Sequence, residues 1–314
     1  MQQLTTRYKL VKSGKVHDTY QNDKDYIFSV ATDRASAFNE ELGIEIPDKG
    51  KISTAISAFW STLAEEEKQE IGMTAYLSSN ADCLHSIHPY GFLNEAKFDT
   101  PEFSGRVTKM TKLKMFPVKC IVRGHLSGSA WKLYESGKRE ICGVRLPEGL
   151  QNGSKLPKPI FTPTSRAPEG ECDKNITFDK MLEVVFVVGM GDYYVVKRIY
   201  DFCLQLYEFG YQYAAERGLI LADAKFELGL DGYKNIIFGS EILTPNTAHY
   251  WDANSFAPGK EPKILGEQLI IDYLAAAKAR GEENPQIPAE IIEETGRQYE
   301  ELFKRLTGKP WPKS

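Results

Sequence analysis

The stretch Leu221-Ala222-Asp223-Ala224-Lys225-Phe226-Glu227-Leu228 constrains this 314-residue chain more than any other. Side chains of a strand alternate between its two faces. Asp223, Lys225 and Glu227 therefore share one face, and Ala222, Ala224, Phe226 and Leu228 share the other. The run predicts a strand over Leu219–Leu228, followed by a second at about Asn235–Leu243, with Asp231-Gly232 between them as a favoured hairpin turn. A lysine flanked by carboxylates suits a metal–phosphate group, since a carboxylate binds Mg²⁺ and the ammonium meets phosphate oxygens. A solvent-facing strand whose alternate charges pair with one another has the same pattern.

The rest of the chain reads in the same way. Lys15 to Tyr20 and Tyr26 to Thr32 are short β-like runs about the turn residues Gln21-Asn22-Asp23-Lys24. Ile52, Ile56, Phe59, Trp60 and Leu63 fall on one helical face, with Ser53 as its cap or in its first turn. Met115 to Gly124 resembles a buried strand ending in a loop. Residues 143 to 175, with Pro157, Pro159, Pro163 and Pro168, predict a long irregular segment, often functional in a compact protein. Val195 to Arg217 is helical and stops at Gly218; two more helices follow near Glu267–Arg280 and Ala289–Leu306. The order predicts a two-lobed α+β protein, a β-rich lobe over residues 1–118 and an α/β lobe with a helical tail over 119–314.

Composition narrows the class. The chain is 42% hydrophobic and 26% charged, ordinary for a globular protein. A formal charge of −4, without a long basic run, does not indicate a general nucleic-acid surface. No run of eighteen apolar residues predicts a membrane span, and the N-terminus lacks the apolar stretch of a signal peptide. Cys83, Cys120, Cys142, Cys172 and Cys203 form no CxxC pair, which suits reduced thiols in a cytoplasmic protein.

Three further segments carry chemistry. Gly14-Lys15 suits a lysine over nucleotide phosphates but lacks P-loop spacing. Arg123-Gly124-His125-Leu126-Ser127-Gly128-Ser129 suits a phosphate monoester, because a guanidinium can bind two of its oxygens; a surface loop with a lone arginine is the competitor. In Gly170-Glu171-Cys172-Asp173-Lys174-Asn175 a carboxylate can orient an amine or accept its proton, and ordinary turn residues look the same. His85 and His88 lack the setting of a metal pair.

Together the segments resemble the SAICAR synthetase family, in register from about residue 8 to 310. The pieces are Gly14-Lys15-Val16, Ala31-Thr32-Asp33-Arg34 with Ser36-Ala37-Phe38, and Ile121-Val122-Arg123-Gly124 with Gly128-Ser129-Ala130-Trp131-Lys132. Pro159-Ile160-Phe161-Thr162-Pro163-Thr164, Leu221-Ala222-Asp223 with Lys225-Phe226-Glu227, and Glu241 with Leu243-Thr244-Pro245 complete them. The resemblance implies a kinase-like ATP lobe packed on an α/β lobe, and an ATP- and Mg²⁺-dependent ligase. The family's substrates are carboxyaminoimidazole ribotide, whose carboxylate is activated as an acyl phosphate, and aspartate. By position Lys15 contacts ATP phosphates, with Ser240 and Glu241 in the same nucleotide set, and Glu227 binds Mg²⁺. Lys225, Asp223 and Asp173 line the reaction centre. Arg123 and Ser129 hold the ribotide phosphate, and Lys119, Arg166, Asn246 and His249 belong to the substrate set. A small-molecule enzyme of this kind is expected as a monomer or small homo-oligomer, with neither nucleic acid nor membrane as partner.

The departures from the family pattern cluster. Ser240 stands for an Asp that ligates Mg²⁺, Asn246 for an Asp, His249 and His17 for arginines, and Lys119 for a Glu. Cys172 replaces a His, and Glu267 and Ile271 stand where the family tends to have Lys and Arg. A hydroxyl is a poorer magnesium ligand than a carboxylate, and a mostly neutral imidazole a poorer phosphate clamp than guanidinium. The set predicts an altered acceptor, with a genuine SAICAR synthase as the alternative and a non-catalytic nucleotide-binding protein as a third reading.

Overall fold

A computed structural model describes residues 9–21, 26–38, 40–66, 88–89, 103–167, 173–260, 262–283 and 285–312. Cys83, His85, Cys172, the turn residues 22–24 and Pro168 to Glu171 lie outside them.

Strand β1 (Lys9–Ser13), β2 (His17–Gln21), β3 (Tyr26–Ala31), β6 (His88–Pro89) and β7 (Val107–Thr111) form one antiparallel sheet in the order β1-β2-β3-β7-β6. Tyr20, Phe28, Val30, Phe103 and Val107 fill its small core. The hairpin of β4 (Arg34–Ala37) and β5 (Glu40–Glu45) leads into helix α1 (Lys49–Glu66). Ile52, Ile56 and Trp60 of α1 are fully buried, as their helical spacing predicts. The helix begins earlier than Ser53 suggested. Asp33 accepts the Gly50 N–H at 2.9 Å and so caps α1 from outside, while Ser53 lies buried in the helix body.

The larger sheet runs β12 (Lys155–Phe161), β9 (Val118–His125), β14 (Leu219–Phe226), β17 (Ala248–Asp252), β18 (Ile264–Leu265), and β13 (Thr164–Ser165) pairs with the start of β9. Between these lie β8 (Lys114–Met115), α2 (Gly128–Glu135), the short pair β10 (Glu140–Ile141) and β11 (Val144–Arg145), and α3 (Phe178–Val187). Helix α4 (Tyr193–Ala215) covers the apolar face of the sheet. Its Asp192 N-cap accepts from the N–H groups of Tyr194 and Val195, and Val196, Ile199, Phe202, Leu206 and Tyr207 are buried. Ala224 and Phe226 join the same core, which also takes in Ile56 and Trp60 of α1. Helices α5 (Gln268–Ala279) and α6 (Ala289–Thr307) complete the chain, α6 ending on left-handed Gly308. The result is an α+β architecture.

Two further sequence expectations change. The strand after Asp231-Gly232 does not pair with β14. The hairpin is β15 (Leu228–Leu230) with β16 (Ile236–Phe238), in a separate three-stranded sheet with β8, and β14 pairs instead with β9 and β17. Glu227 falls between β14 and β15, where the chain leaves one sheet for the other. The segment 143–175 is not irregular throughout, since it contributes β11, β12 and β13. Pro157 and Pro159 are accommodated because β12 is an edge strand, and its register with β9 shifts between Lys155 and Ile160.

Gly124 has a specific steric reason. A Cβ there would lie 2.1 Å from the Tyr207 hydroxyl, which donates to the Leu221 carbonyl at 2.6 Å. Gly124→Ala is expected to destabilise by about 1–3 kcal/mol through overpacking, read as a lower denaturant midpoint at unchanged m-value. An unchanged midpoint would show that α4 yields freely.

Candidate active-site cleft

The cleft is built from both sheets. In the first, Arg34 fixes the Gly14-Lys15 turn from behind, donating to the Gly14 carbonyl at 2.6 Å and the Lys15 carbonyl at 3.4 Å. Asp18 holds that guanidinium at 2.7 and 3.1 Å. Burial pushes the Asp18 carboxyl up, but hydrogen bonds from Arg34 and Ser13 bring it below the usual carboxylate range. The Gly14 N–H reaches the His17 carbonyl at 2.7 Å, closing the turn that presents Lys15.

In the second sheet, strand register gathers the charged groups. Asp223 on β14 faces Arg123 on β9 and His249 on β17, and Lys225 is opposite Ile121. Facing positions of paired strands share a side of the sheet. Arg123, Asp223, Lys225 and His249 therefore lie on one face, with Lys119 further along β9. The competing picture of a solvent-facing strand with self-paired charges does not hold. Asp223 is only 6% exposed, and the partners of Asp223 and Glu227 come from other elements.

One cleft of about 960 Å³ is lined by Lys15, His17, Lys119, Arg166, Asp173 and Lys225, and by Glu227, Ser240, Glu241 and Asn246. Lys119 Nζ lies 2.5 Å from Asp173 Oδ2, and the other Asp173 oxygen accepts the Ala167 N–H at 3.0 Å. Burial raises the Asp173 carboxyl, yet the Ala167 N–H and Lys119 outweigh it and hold the group below its ordinary value. Arg166 pairs closely with Glu227. Glu241 Oε1 lies 3.1 Å from His17 Nε2 and accepts from the Asn246 amide at 3.1 Å.

Arg123, Ser129, Asp223 and His249 form an adjoining cluster that does not line this cleft. Arg123 donates from Nε to Thr162 Oγ1 at 3.1 Å and from Nη2 to Ser129 Oγ at 3.5 Å, with Nη1 3.7 Å from Asp223. His249 Nδ1 lies 2.9 and 3.0 Å from the two Asp223 oxygens. Burial raises the Asp223 carboxyl, and His249 and Arg123 more than offset it, leaving the group ionised. With both oxygens so engaged, Asp223 positions cations and offers no free metal-ligand edge.

Several of the replaced positions contact a retained site residue. Lys119 meets Asp173, His17 and Asn246 both meet Glu241, and His249 meets Asp223. Glu267 pairs closely with Lys49, whose fully buried ammonium also donates to the Arg34 carbonyl at 2.7 Å. Sequence reasoning missed Thr162, which orients Arg123, and Arg34, which shapes the lysine turn. Both lie in motifs quoted above, but their roles depend on strands far apart in the chain.

Among the described residues no group of three or more His, Cys, Asp or Glu side chains is arranged to hold a metal ion. Mg²⁺ on nucleotide phosphates needs only one or two carboxylates, the phosphates and water supplying the rest. Glu227 and Glu241, both facing the cleft, fit that requirement, with the Ser240 hydroxyl beside them.

A family model described as SAICAR synthetase matches residues 10–288. The phosphoribosylaminoimidazole-succinocarboxamide synthase of Lachnospira eligens is 35% identical over 311 residues, 98% of each chain. That of Chromobacterium violaceum is 36% identical over 96% of this chain and all of its own. Among solved structures, SAICAR synthase from Saccharomyces cerevisiae complexed with SAICAR superposes with a TM-score of 0.77 at 31% identity, covering 97% of this chain and 96% of its own. The cleft holding Lys15, Lys225, Glu227 and Glu241 sits within a match that spans nearly the whole chain, and this protein belongs to the SAICAR synthetase family of ATP-dependent ligases.

Proposed function

We propose that this ligase carries out the SAICAR synthase reaction, joining aspartate to the carboxylate of carboxyaminoimidazole ribotide at the expense of ATP. The observation that carries the reading is the single cleft in which Lys15 from residues 1–118 faces Lys225, Glu227 and Glu241 from residues 119–314, beside the Arg123–Ser129 cluster.

A carboxylate is a poor electrophile until one of its oxygens becomes a leaving group. In the proposed sequence the acceptor carboxylate oxygen attacks the terminal phosphorus of ATP and ADP departs. The aspartate ammonium loses a proton to water, its nitrogen then attacks the acyl carbon, phosphate leaves with the C–O bonding pair, and the nitrogen sheds a second proton to water. Lys15 and Lys225 offset the charge gathered on the transferring phosphoryl. Glu227 and Glu241 would hold Mg²⁺, which when bound neutralises phosphate charge. Arg166 must then release Glu227. Asp173, kept ionised and tethered by Lys119, orients the incoming ammonium group. Arg123 and Ser129 hold the ribotide phosphate.

The test is ADP release by the purified protein supplied with ATP, Mg²⁺, the ribotide and aspartate, with each omitted in turn. Turnover that requires all four supports the reading, and so does rescue of a purine auxotroph lacking this enzyme. ADP release that ignores the ribotide and responds only to another carboxylate sinks it.

That second outcome belongs to the reading with an altered acceptor, and one observation favours it. Lys119 places a cation, paired with Asp173, where the family pattern has a carboxylate. Lys119→Glu separates the two. With the ribotide as substrate, its KM is expected to hold while kcat falls with the lost Asp173 tether. A rise of about tenfold in that KM, some 1.4 kcal/mol, would favour an acceptor that needs the ammonium.

A further inference from the structure

We infer that His249 is a titratable determinant of acceptor affinity: as an imidazolium braced by Asp223, it joins Arg123 in seating a phosphate dianion, and the seat weakens when the ring deprotonates. The inference rests on the proposed function in taking a phosphorylated acceptor at this cluster.

The geometry is that of a braced cation. Nδ1 faces both oxygens of Asp223 at 2.9 and 3.0 Å, so the carboxylate fixes the ring plane. The side chain is nonetheless 52% exposed, against 9% for Asp223, so the Nε2 edge remains available to a ligand. Arg123, aligned on the next strand, directs Nη2 at Ser129. Ser129 is exposed in the first turn of α2, where the N–H groups of Gly128 and Ser129 have no acceptor among the described residues. First-turn N–H groups and a guanidinium together favour an anion.

Among the described residues, three charged groups act on His249. Asp223 favours the imidazolium, whereas Arg123 on β9 and Lys225 on β14 oppose it. His125 on β9 adds no charge at neutral pH, because burial pulls it down to about 4. Ile264-Leu265 of β18, the other neighbour of β17, carries no titratable side chain. Asp223 prevails, and the His249 ring is raised above its ordinary value. Its positive charge is thus complete below the ordinary imidazole range and is lost as pH climbs through the raised value. An arginine in this place would stay charged throughout.

The test is calorimetric titration of ribose 5-phosphate into the full chain, with Mg²⁺ and a non-hydrolysable ATP analogue filling the nucleotide cleft. Wild type, His249→Arg and His249→Gln are compared at about pH 6 and about pH 8.5, their folding confirmed by thermal melts. The ligand's own ionisation is common to all three proteins and cancels in ratios. The Kd of wild type relative to His249→Arg is expected to rise about fivefold across that span, the scale of one partly exposed ion pair, while His249→Gln binds weakly at both ends. Wild type and His249→Arg tracking each other, or absence of binding by all three, overturns the inference. Ribotide turnover with a flat ratio removes only the inference. A rising ratio without ribotide turnover leaves the anion seat and removes the proposed acceptor.

Discussion

Lys225→Met is expected to lower kcat by about 10²–10³, the usual loss when a preorganised charge aimed at a developing anion is removed. Methionine keeps the unbranched stem, and the backbone N–H of residue 225 still reaches the Thr247 carbonyl at 2.7 Å, so β14 retains its place. ATP affinity is expected to change far less, because Lys15 on the opposite wall remains. The effect should therefore appear in kcat with a nearly constant KM for ATP. A kcat within about threefold of wild type would assign the phosphoryl charge to other groups. Lys225→Arg is not expected to restore the rate, since a planar fork places its charge differently from an ammonium.

Arg123→Ala carries the second large effect, on acceptor binding. Arg123 is 8% exposed and touches Asp223, Thr162 and Ser129, so its removal strips the proposed phosphate seat and leaves Asp223 with His249 as its remaining ion-pair partner. Truncating one member of such a buried charged pair costs about 2–5 kcal/mol. The KM for the acceptor is expected to rise on the order of 10²–10³-fold, with the KM for ATP unchanged. Arg123→Lys is expected to recover only part of it, because a single ammonium nitrogen lacks the fork by which Arg123 reaches Thr162 from Nε and Ser129 from Nη2. Equal rises in both KM values would mean that the substitution acts through general loss of structure; no rise in either would detach Arg123 from the acceptor.

The departures from the family pattern take on a different meaning in three dimensions. On the chain they read as losses gathered at family substrate positions, His17, Lys119, Asn246, His249 and Glu267 among them. In the fold each finds a charged or polar partner in or beside the site, as Lys119 does in Asp173 and Glu267 in Lys49. An unpaired charge in a half-buried cleft is costly, so substitutions there persist most readily when another group meets them. The altered residues form a rewired network around Lys15, Lys225 and the cleft-lining carboxylates Glu227 and Glu241. This is why the structure admits both a tolerant SAICAR synthase and a relative with another acceptor, and why Lys119 discriminates between them.

The legible parts were those encoded within a few residues. Alternation along Leu221–Leu228 put Asp223 and Lys225 on one face, and helical spacing placed α4 within two residues of each end, whereas α1, Lys49–Glu66, extends three residues beyond Ile52 and Leu63 at either end. Six motifs in order identified the family. What only the tertiary structure decided is who meets whom: β14 lies between β9, some hundred residues earlier, and β17, so Arg123 and His249 flank Asp223. The hairpin beyond Asp231-Gly232 closes a different sheet, and the proline-rich segment supplies an edge strand. Periodicity reports which way a side chain points, because that is set by the local backbone. The partner it points at is set by strand register between distant segments, which no short stretch of sequence contains.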